Sequence, residues 1–343
     1  MNEYFIIIGQ GLAGTFLSYY LRKAGKKILV IDEPKPYTAS KAASGVINPV
    51  TGRRIVTTWM IDKLMPFAVN AYTELEKELN TSFIQQRNVL DFHPTPQMQI
   101  AFDERLKEDD TYLQYPNNAE QWRNYFNYPF GIGEINPCYL VDLKTMLSEW
   151  RKVLKENNLL VEEKIAVDDI IEQYKNATII FCDGIASAKS KYFNLLPFAP
   201  NKGEALIVEI NDLPATNIFK QGISIVPWTN NLFWVGSSYE WNYSDANPSE
   251  VFKQKTEAQL KYWLKIPFKI IDHLASERPA NLERRPFVGL HPLYKNIGIL
   301  NGLGTKGCTL APYFANELTQ HFINGNGINP LADVQRFSKI LSK

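Results

Sequence analysis

The chain has 343 residues, 45% of them hydrophobic and 21% charged, with a formal net charge of +1. That length suits one large or two ordinary globular domains, and the charge balance exerts no overall pull toward nucleic acid or an anionic membrane, leaving only a local basic patch open. Cys138, Cys182 and Cys308 have no metal or disulfide spacing, which suits a reducing cytoplasm, and no apolar run approaches the roughly twenty residues of a membrane span.

Met1-Asn2-Glu3 leads straight into an apolar run with no basic region or cleavage site, so no leader is expected and a cytoplasmic location is. Tyr4-Phe5-Ile6-Ile7-Ile8 reads as a strand buried on both faces. Gly9-Gln10-Gly11-Leu12-Ala13-Gly14 follows with G-x-G-x-x-G spacing, and Phe16, Leu17, Tyr20 and Leu21 then share a helical face up to Gly25. Ile28–Ile31 reads as a second strand with Asp32 at its tip, then Glu33. Strand, glycine turn, helix, strand and acid in this order make a dinucleotide-binding unit. Gly9 would allow the tight turn, Gly11 the close approach of a pyrophosphate, and Gly14 close helix packing. Leu12 and Ala13 would open the helix toward the phosphates, and Asp32 would accept from ribose hydroxyls. An acid at that tip favours FAD or NAD over NADP.

Thr38 to Arg54 is dominated by small and hydroxylated residues. It reads either as a backbone passing close to a planar ligand or phosphate, or as a surface loop with a helix N-cap at Ser40. Within it, Ala43-Ser44-Gly45-Val46-Ile47-Asn48-Pro49 resembles the D-amino-acid oxidase superfamily of FAD enzymes. That group includes glycine oxidase, sarcosine oxidase and the oxidase half of the bifunctional enzyme that modifies the wobble uridine of tRNA. The resemblance implies that Ser44, Gly45, Val46 and Asn48 lie over the flavin.

Residues 57–80 read as a helix, and the aromatic-rich stretch from Ser82 to Pro137 as strands and loops of an inserted domain. Asp142 is a candidate N-cap for a helix from Leu143 to Asn157. Leu159 to Ile165 reads as a strand; by the resemblance, Val161, Lys164 and Ile165 lie nearest the adenine. Ala177 to Ser187 reads as a buried strand ending in a turn, with Asp183 and Gly184 near the cofactor. Cys182 fits a buried hydrophobe better than a nucleophile, since it has no basic neighbour in sequence. Lys202-Gly203-Glu204 resembles the family's turn where the chain leaves the FAD domain.

Strands are expected over 205–210, 223–227 and 232–237, with a helix over 249–264. Tyr239 and Trp241 resemble residues bordering the family's substrate cavity, with ordinary sheet packing as the alternative. Arg278 stands in an Arg-Pro stretch where glycine oxidase holds the substrate carboxylate; a structural ion pair with Glu277 or Glu283 is its other reading. Ile297 to Pro312 reads as strand, Gly-rich turn and a helix beginning near Thr309. By the resemblance, Gly302, Leu303, Gly304, Thr305, Lys306 and Gly307 meet the flavin. Thr305 stands where glycine oxidase has a second basic residue, with Lys306 one place later, which puts a free amino-acid substrate in question.

The resemblance spans Tyr4 to about Gly325 and implies an α/β protein, with α+β character overall. Its Rossmann-like FAD-binding domain is discontinuous (1–80, 138–203 and 278–343), with an inserted antiparallel-sheet substrate domain (81–137 and 204–277). It further implies FAD as cofactor, no metal, and hydride transfer from the C–N bond of a small amine or amino acid to the flavin. Oxygen or another acceptor would then reoxidise it. Arg278, Lys306 and Tyr239 are the candidate catalytic residues. Alternatives are an amine displayed on a larger molecule such as tRNA, against which the near-neutral charge argues, or a non-catalytic FAD-binding protein.

Overall fold

The structure is a computed structural model and describes residues 4–52 and 54–343. The expectation about Met1-Asn2-Glu3, and Arg53 in the small-residue stretch, lie outside the described residues. Tyr4–Ile8 and Lys27–Ile31 pair in parallel, with the helix Leu12–Lys23 between them in sequence. Together with Thr178–Phe181, Ile297–Asn301, Phe287–Leu290 and Leu160–Val161 they form a six-stranded sheet. All its pairings are parallel except that of Phe287–Leu290 with Ile297–Asn301.

Alternation along the first strand explains why this sheet is buried on both sides. Phe5 and Ile7 pack with Phe16, Leu17 and Val30 on one face. Ile6 and Ile8 pack with Ile179, Phe181 and Phe193 on the other. Residues 12 to 21 are all buried because the first helix is also covered by the last one, Gly307–Asn324.

The second large sheet has eight strands, in the order 269–278, 201–209, 232–236, 223–227, 218–221, 89–92, 132–135, 113–114. It is antiparallel except where 218–220 runs parallel to 89–91. Leu206, Val208, Phe219, Ile225 and Phe233 turn outward onto Phe252, Leu260 and Trp263 of the helix Glu250–Trp263. Ala205, Ile207, Ile218, Val226 and Trp234 turn inward onto Ala42, Val50 and Ile55. The inner face therefore looks at the nucleotide-binding unit.

Several expectations need correcting. Thr38, not Ser40, caps the short helix Ala39–Ala42, accepting from the Lys41 backbone. The helix expected over 57–80 starts at Ile61, because Val56–Thr57 pairs with Val50–Thr51 and Met60 is left-handed. The 82–137 stretch contains an unanticipated helix, Pro96–Glu108, capped by Thr95. The strand expected over 159–165 is only Leu160–Val161, followed by the helix Val167–Gln173. The last helix starts at Gly307 rather than near Thr309. Lys202-Gly203-Glu204 is no turn: it lies buried within the strand Asn201–Glu209, paired along its length with Lys269–Arg278, a strand not anticipated. Asp142 does cap its helix, accepting from Thr145 N at 3.0 Å.

Candidate functional site

The glycine turn is shaped by backbone contacts. Gly9 has φ +98°, and a Cβ there would sit 2.6 Å from the Cys182 carbonyl. A Cβ on Gly14 would come within 1.9 Å of the Gly9 carbonyl, so helix and strand meet with no space for a side chain. Gly11 is different: the nearest atom to its Cβ position is the Ser40 Oγ, at 2.9 Å, which also accepts from Leu12 N at 3.0 Å. The start of the first helix thus keeps a bare Cα and N–H groups facing the Thr38–Ala42 segment, as an anion site requires.

Asp32 stands at the strand tip as expected. Its Oδ1 accepts from Gln10 N at 2.8 Å, and its Oδ2 from Arg151 Nη1 at 2.7 Å. Arg151 also donates to Gln10 Oε1 and Glu162 Oε1, while its buried Nη2 has no partner among the described residues. Each Asp32 oxygen keeps a lone pair for a hydroxyl. Sequence reasoning missed Arg151, which lies on the helix Leu143–Glu156, 119 positions along the chain from Asp32. Glu33 pairs with Lys35 at 2.8 Å and approaches Lys164 at 4.0 Å; Lys164 is largely exposed, and Ile165 packs against the core.

The other predicted segments converge on the same edge. A Cβ on Gly307 would lie 3.2 Å from Leu12 Cδ1, so the first and last helices begin side by side. Their positive ends point into one region. Gly45, φ +82°, packs on the backbone of Val141, where a Cβ would lie 1.9 Å from the carbonyl, and Ser44 and Val46 flank it. Asn48 Oδ1 caps Val50 N, and its carbonyl accepts from Lys306 Nζ at 3.1 Å. Burial pushes the Lys306 ammonium down to about 8. Asn301 was not singled out from sequence. Its amide bridges the Gly184 carbonyl at 2.8 Å and the Ser187 hydroxyl at 2.9 Å, and its Oδ1 accepts from Gly302 N. Asp183 accepts from Ser187, and desolvation pushes its carboxyl up to about 6. Gly302 and Gly304 have positive φ, and Leu303 is buried. Thr305 is exposed.

Gly304 N donates to the Pro279 carbonyl at 3.2 Å, which sets Arg278 beside this turn. Arg278 Nη1 donates to Asn201 Oδ1 at 2.8 Å and to the Ser238 carbonyl at 3.1 Å. Neither acid proposed as its ion-pair partner serves. Glu277 accepts from the Tyr243 hydroxyl, and Glu283 pairs with Arg336. Among the described residues Arg278 has no carboxylate partner, and desolvation lowers its pKa. Tyr239 lies 5.7 Å from the guanidinium, ring centroid to Cζ, and packs edge-on against Trp241. Both rings are about half exposed, which is not the packing of a sheet interior.

These residues fit a dinucleotide carrying a planar ring. The bare Cα of Gly11 and the N-terminus of the first helix would face the phosphates, Asp32 would face a ribose, and a second Gly-rich turn leads into the N-terminus of the last helix. Among the described residues no group of three or more His, Cys, Asp or Glu is placed to hold a metal ion, and no helix is long and apolar enough to cross a membrane.

Comparison with known proteins agrees with this geometry. A family profile described as "DAO: FAD dependent oxidoreductase" matches residues 5–321. The chain is similar to the "Uncharacterized oxidoreductase YurR" of Bacillus subtilis (strain 168), at 22% identity over 92% of this chain and 94% of that protein. In fold it is similar to a glycine oxidase from Geobacillus kaustophilus, with a TM-score of 0.79, 15% identity, and coverage of 96% of this chain and 97% of that one. It is also similar to the iminodiacetate oxidase (IdaA) from Chelativorans sp. BNC1, with a TM-score of 0.74, 18% identity, and coverage of 95% and 97%.

Proposed function

The chain belongs to the DAO family of FAD-dependent oxidoreductases, and from that premise we propose that it oxidises the C–N bond of a small amine bearing a carboxylate. The observation that carries this reading is Arg278, a desolvated guanidinium with no acid beside it among the described residues, next to the turn that opens the last helix. A cation withdrawn from water without a counter-charge is costly, and a carboxylate entering its fork recovers that cost. The fold neighbours named as glycine and iminodiacetate oxidases are consistent with such a substrate.

FAD, when bound, supplies the hydride acceptor, leaving an imine that water hydrolyses. The chain's own residues bind and orient. Arg278 holds the carboxylate and so fixes where the adjacent carbon sits. Lys306, anchored by the Asn48 carbonyl, adds positive potential at the start of the last helix. Tyr239 shields the guanidinium from one side. On this reading the amine reacts in its neutral form, while Arg278 and Lys306 are held by neutral partners, the Asn201 side chain and the Ser238 and Asn48 carbonyls. The six-stranded sheet and its helices would then carry the cofactor and the eight-stranded sheet would cover the substrate; the division expected at 1–80, 138–203 and 278–343 against 81–137 and 204–277 stays part of the proposal, with the strand Asn201–Glu209 crossing its 203/204 boundary.

The half-exposed Tyr239–Trp241 pair favours a second reading, an amine displayed on a larger molecule whose apolar body rests on the two rings. Anaerobic mixing of the FAD-loaded protein with a panel of amines tests the first reading. Loss of oxidised-flavin absorbance with carboxylated members supports it. Reduction only by carboxyl-free amines contradicts it.

A further inference from the structure

The guanidinium of Arg278 does not merely reach the site; the strand beside it is shaped to hold it. A Cβ built on Gly203 would lie 1.9 Å from Arg278 Nη2 and 2.1 Å from Cζ. The head group therefore rests on the bare Cα of Gly203, where any other residue would displace it. Gly203 is buried in mid-strand and its φ lies outside the left-handed region, so backbone conformation is not what requires glycine here. Asn201, two positions earlier and on the same face, is fully buried. Its Oδ1 accepts from Arg278 Nη1 at 2.8 Å, while its Nδ2 is buried without a partner among the described residues. The Ser238 carbonyl takes a second bond from Nη1. All three contacts are neutral. They orient the guanidinium without cancelling its charge.

We propose that Asn201 and Gly203 are positioning residues that together form a neutral cradle for Arg278, keeping its charge uncompensated for the carboxylate of the substrate. The proposal rests on the reading of Arg278 given above. An aspartate at 201 would supply an internal carboxylate in hydrogen-bond contact with the guanidinium and compete with the substrate's own. An alanine at 203 would push aside the flexible end of Arg278 rather than backbone, so it acts on the fork more than on the fold.

The test uses the FAD-loaded protein with acetate as probe, binding being read from the shift of the flavin spectrum, and flavin content as the check on folding. Arg278→Ala, Asn201→Asp and Gly203→Ala are each expected to weaken acetate binding roughly tenfold or more, as loss of a buried charged contact does. Asn201→Asp and Gly203→Ala should likewise lower the preference for a carboxylated amine over its uncharged analogue. In an Arg278→Lys background, where no planar head lies on Gly203, Gly203→Ala is expected to add less than a factor of two to three. If Arg278→Ala leaves acetate binding unchanged, both the anion-site reading and the cradle are overturned. If Arg278→Ala weakens it but Asn201→Asp does not, the anion site stands and the cradle is overturned. Effects of Gly203→Ala and Arg278→Lys that simply multiply also overturn it. Should Gly203→Ala fail to take up FAD, Asn201→Asp alone decides.

Discussion

Arg151 Nη1 lies 2.7 Å from Asp32 Oδ2, so a helix far along the chain grips the acid at the tip of the second strand. The bond orients the carboxylate before any ribose arrives and leaves Arg151 Nη2 buried beside it. Arg151→Ala is therefore expected to weaken FAD binding by about 1–3 kcal/mol, since the arginine is partly exposed and its charged bond is discounted accordingly. Reconstituting the apoprotein with FAD and measuring the dissociation constant checks this. An unchanged constant would show that Asp32 needs no support from the helix.

The glycines of the first turn should separate stability from cofactor affinity. Gly14→Ala drives a methyl into the Gly9 carbonyl, which cannot swing away, and is expected to cost several kcal/mol, on the order of an overpacked core. Gly11→Ala meets only the hydroxyl of Ser40, which can rotate, and should melt near the parent while losing FAD. Thermal melts of the apoproteins beside their flavin content distinguish the two; equal melting points would sink the assignment of Gly14 to helix packing.

Asp183 has its carboxyl raised by desolvation from 3.8 to about 6. The folded apoprotein then binds the extra proton between those values, so this group's contribution to stability is fully present below about 4 and lost as pH rises through 6. At pH 7 the deficit is on the order of 3 kcal/mol. Asp183→Asn keeps an oxygen for the Ser187 hydroxyl and removes the charge, so the apoprotein variant should match the parent near pH 4 and exceed it in stability at pH 7. Denaturant melts at the two values decide. A variant less stable at pH 7 would mean that the ionised carboxylate is held favourably.

Lys306 is lowered by burial from 10.5 to about 8. Only its protonated form attracts an anion, so carboxylate binding should be strongest below pH 8 and weaken as pH rises through it, with a bound anion moving the break upward. Lys306→Arg stays protonated and should flatten the profile. An acetate binding curve that is the same in both proteins across pH 7 to 10 would remove Lys306 from the anion site.

The nucleotide unit was legible in the sequence because its signals are local. An apolar run, glycines at fixed spacing, a helical face and a terminal acid all lie within one short stretch, and Tyr4–Ile31 forms the unit expected of it. Long-range features were not legible. Arg151 reaches Asp32 only after folding, and nothing in its neighbourhood marks it. The strand Lys269–Arg278 sits at the sheet edge, so its polar residues mask the alternation of a buried strand. Lys202-Gly203-Glu204 reads as a turn from the resemblance alone; charges are rarely buried, and here the two pair with each other at 3.3 Å inside the sheet. The helix Pro96–Glu108 buries only Phe102, too little for a periodic pattern, though Thr95-Pro96 is a legible start signal.

Arg278 is expected to receive the carboxylate of an amine substrate. The direct measurement is the anaerobic rate of flavin reduction in the parent and in Arg278→Ala, using a carboxylated amine that reduces the parent and its uncharged analogue. Loss of the buried charged contact should cost about 2–5 kcal/mol, roughly two to four decades in rate at low concentration of the carboxylated amine. The analogue should lose much less, with flavin content near normal. An equal loss for both amines, or none for either, would contradict the account.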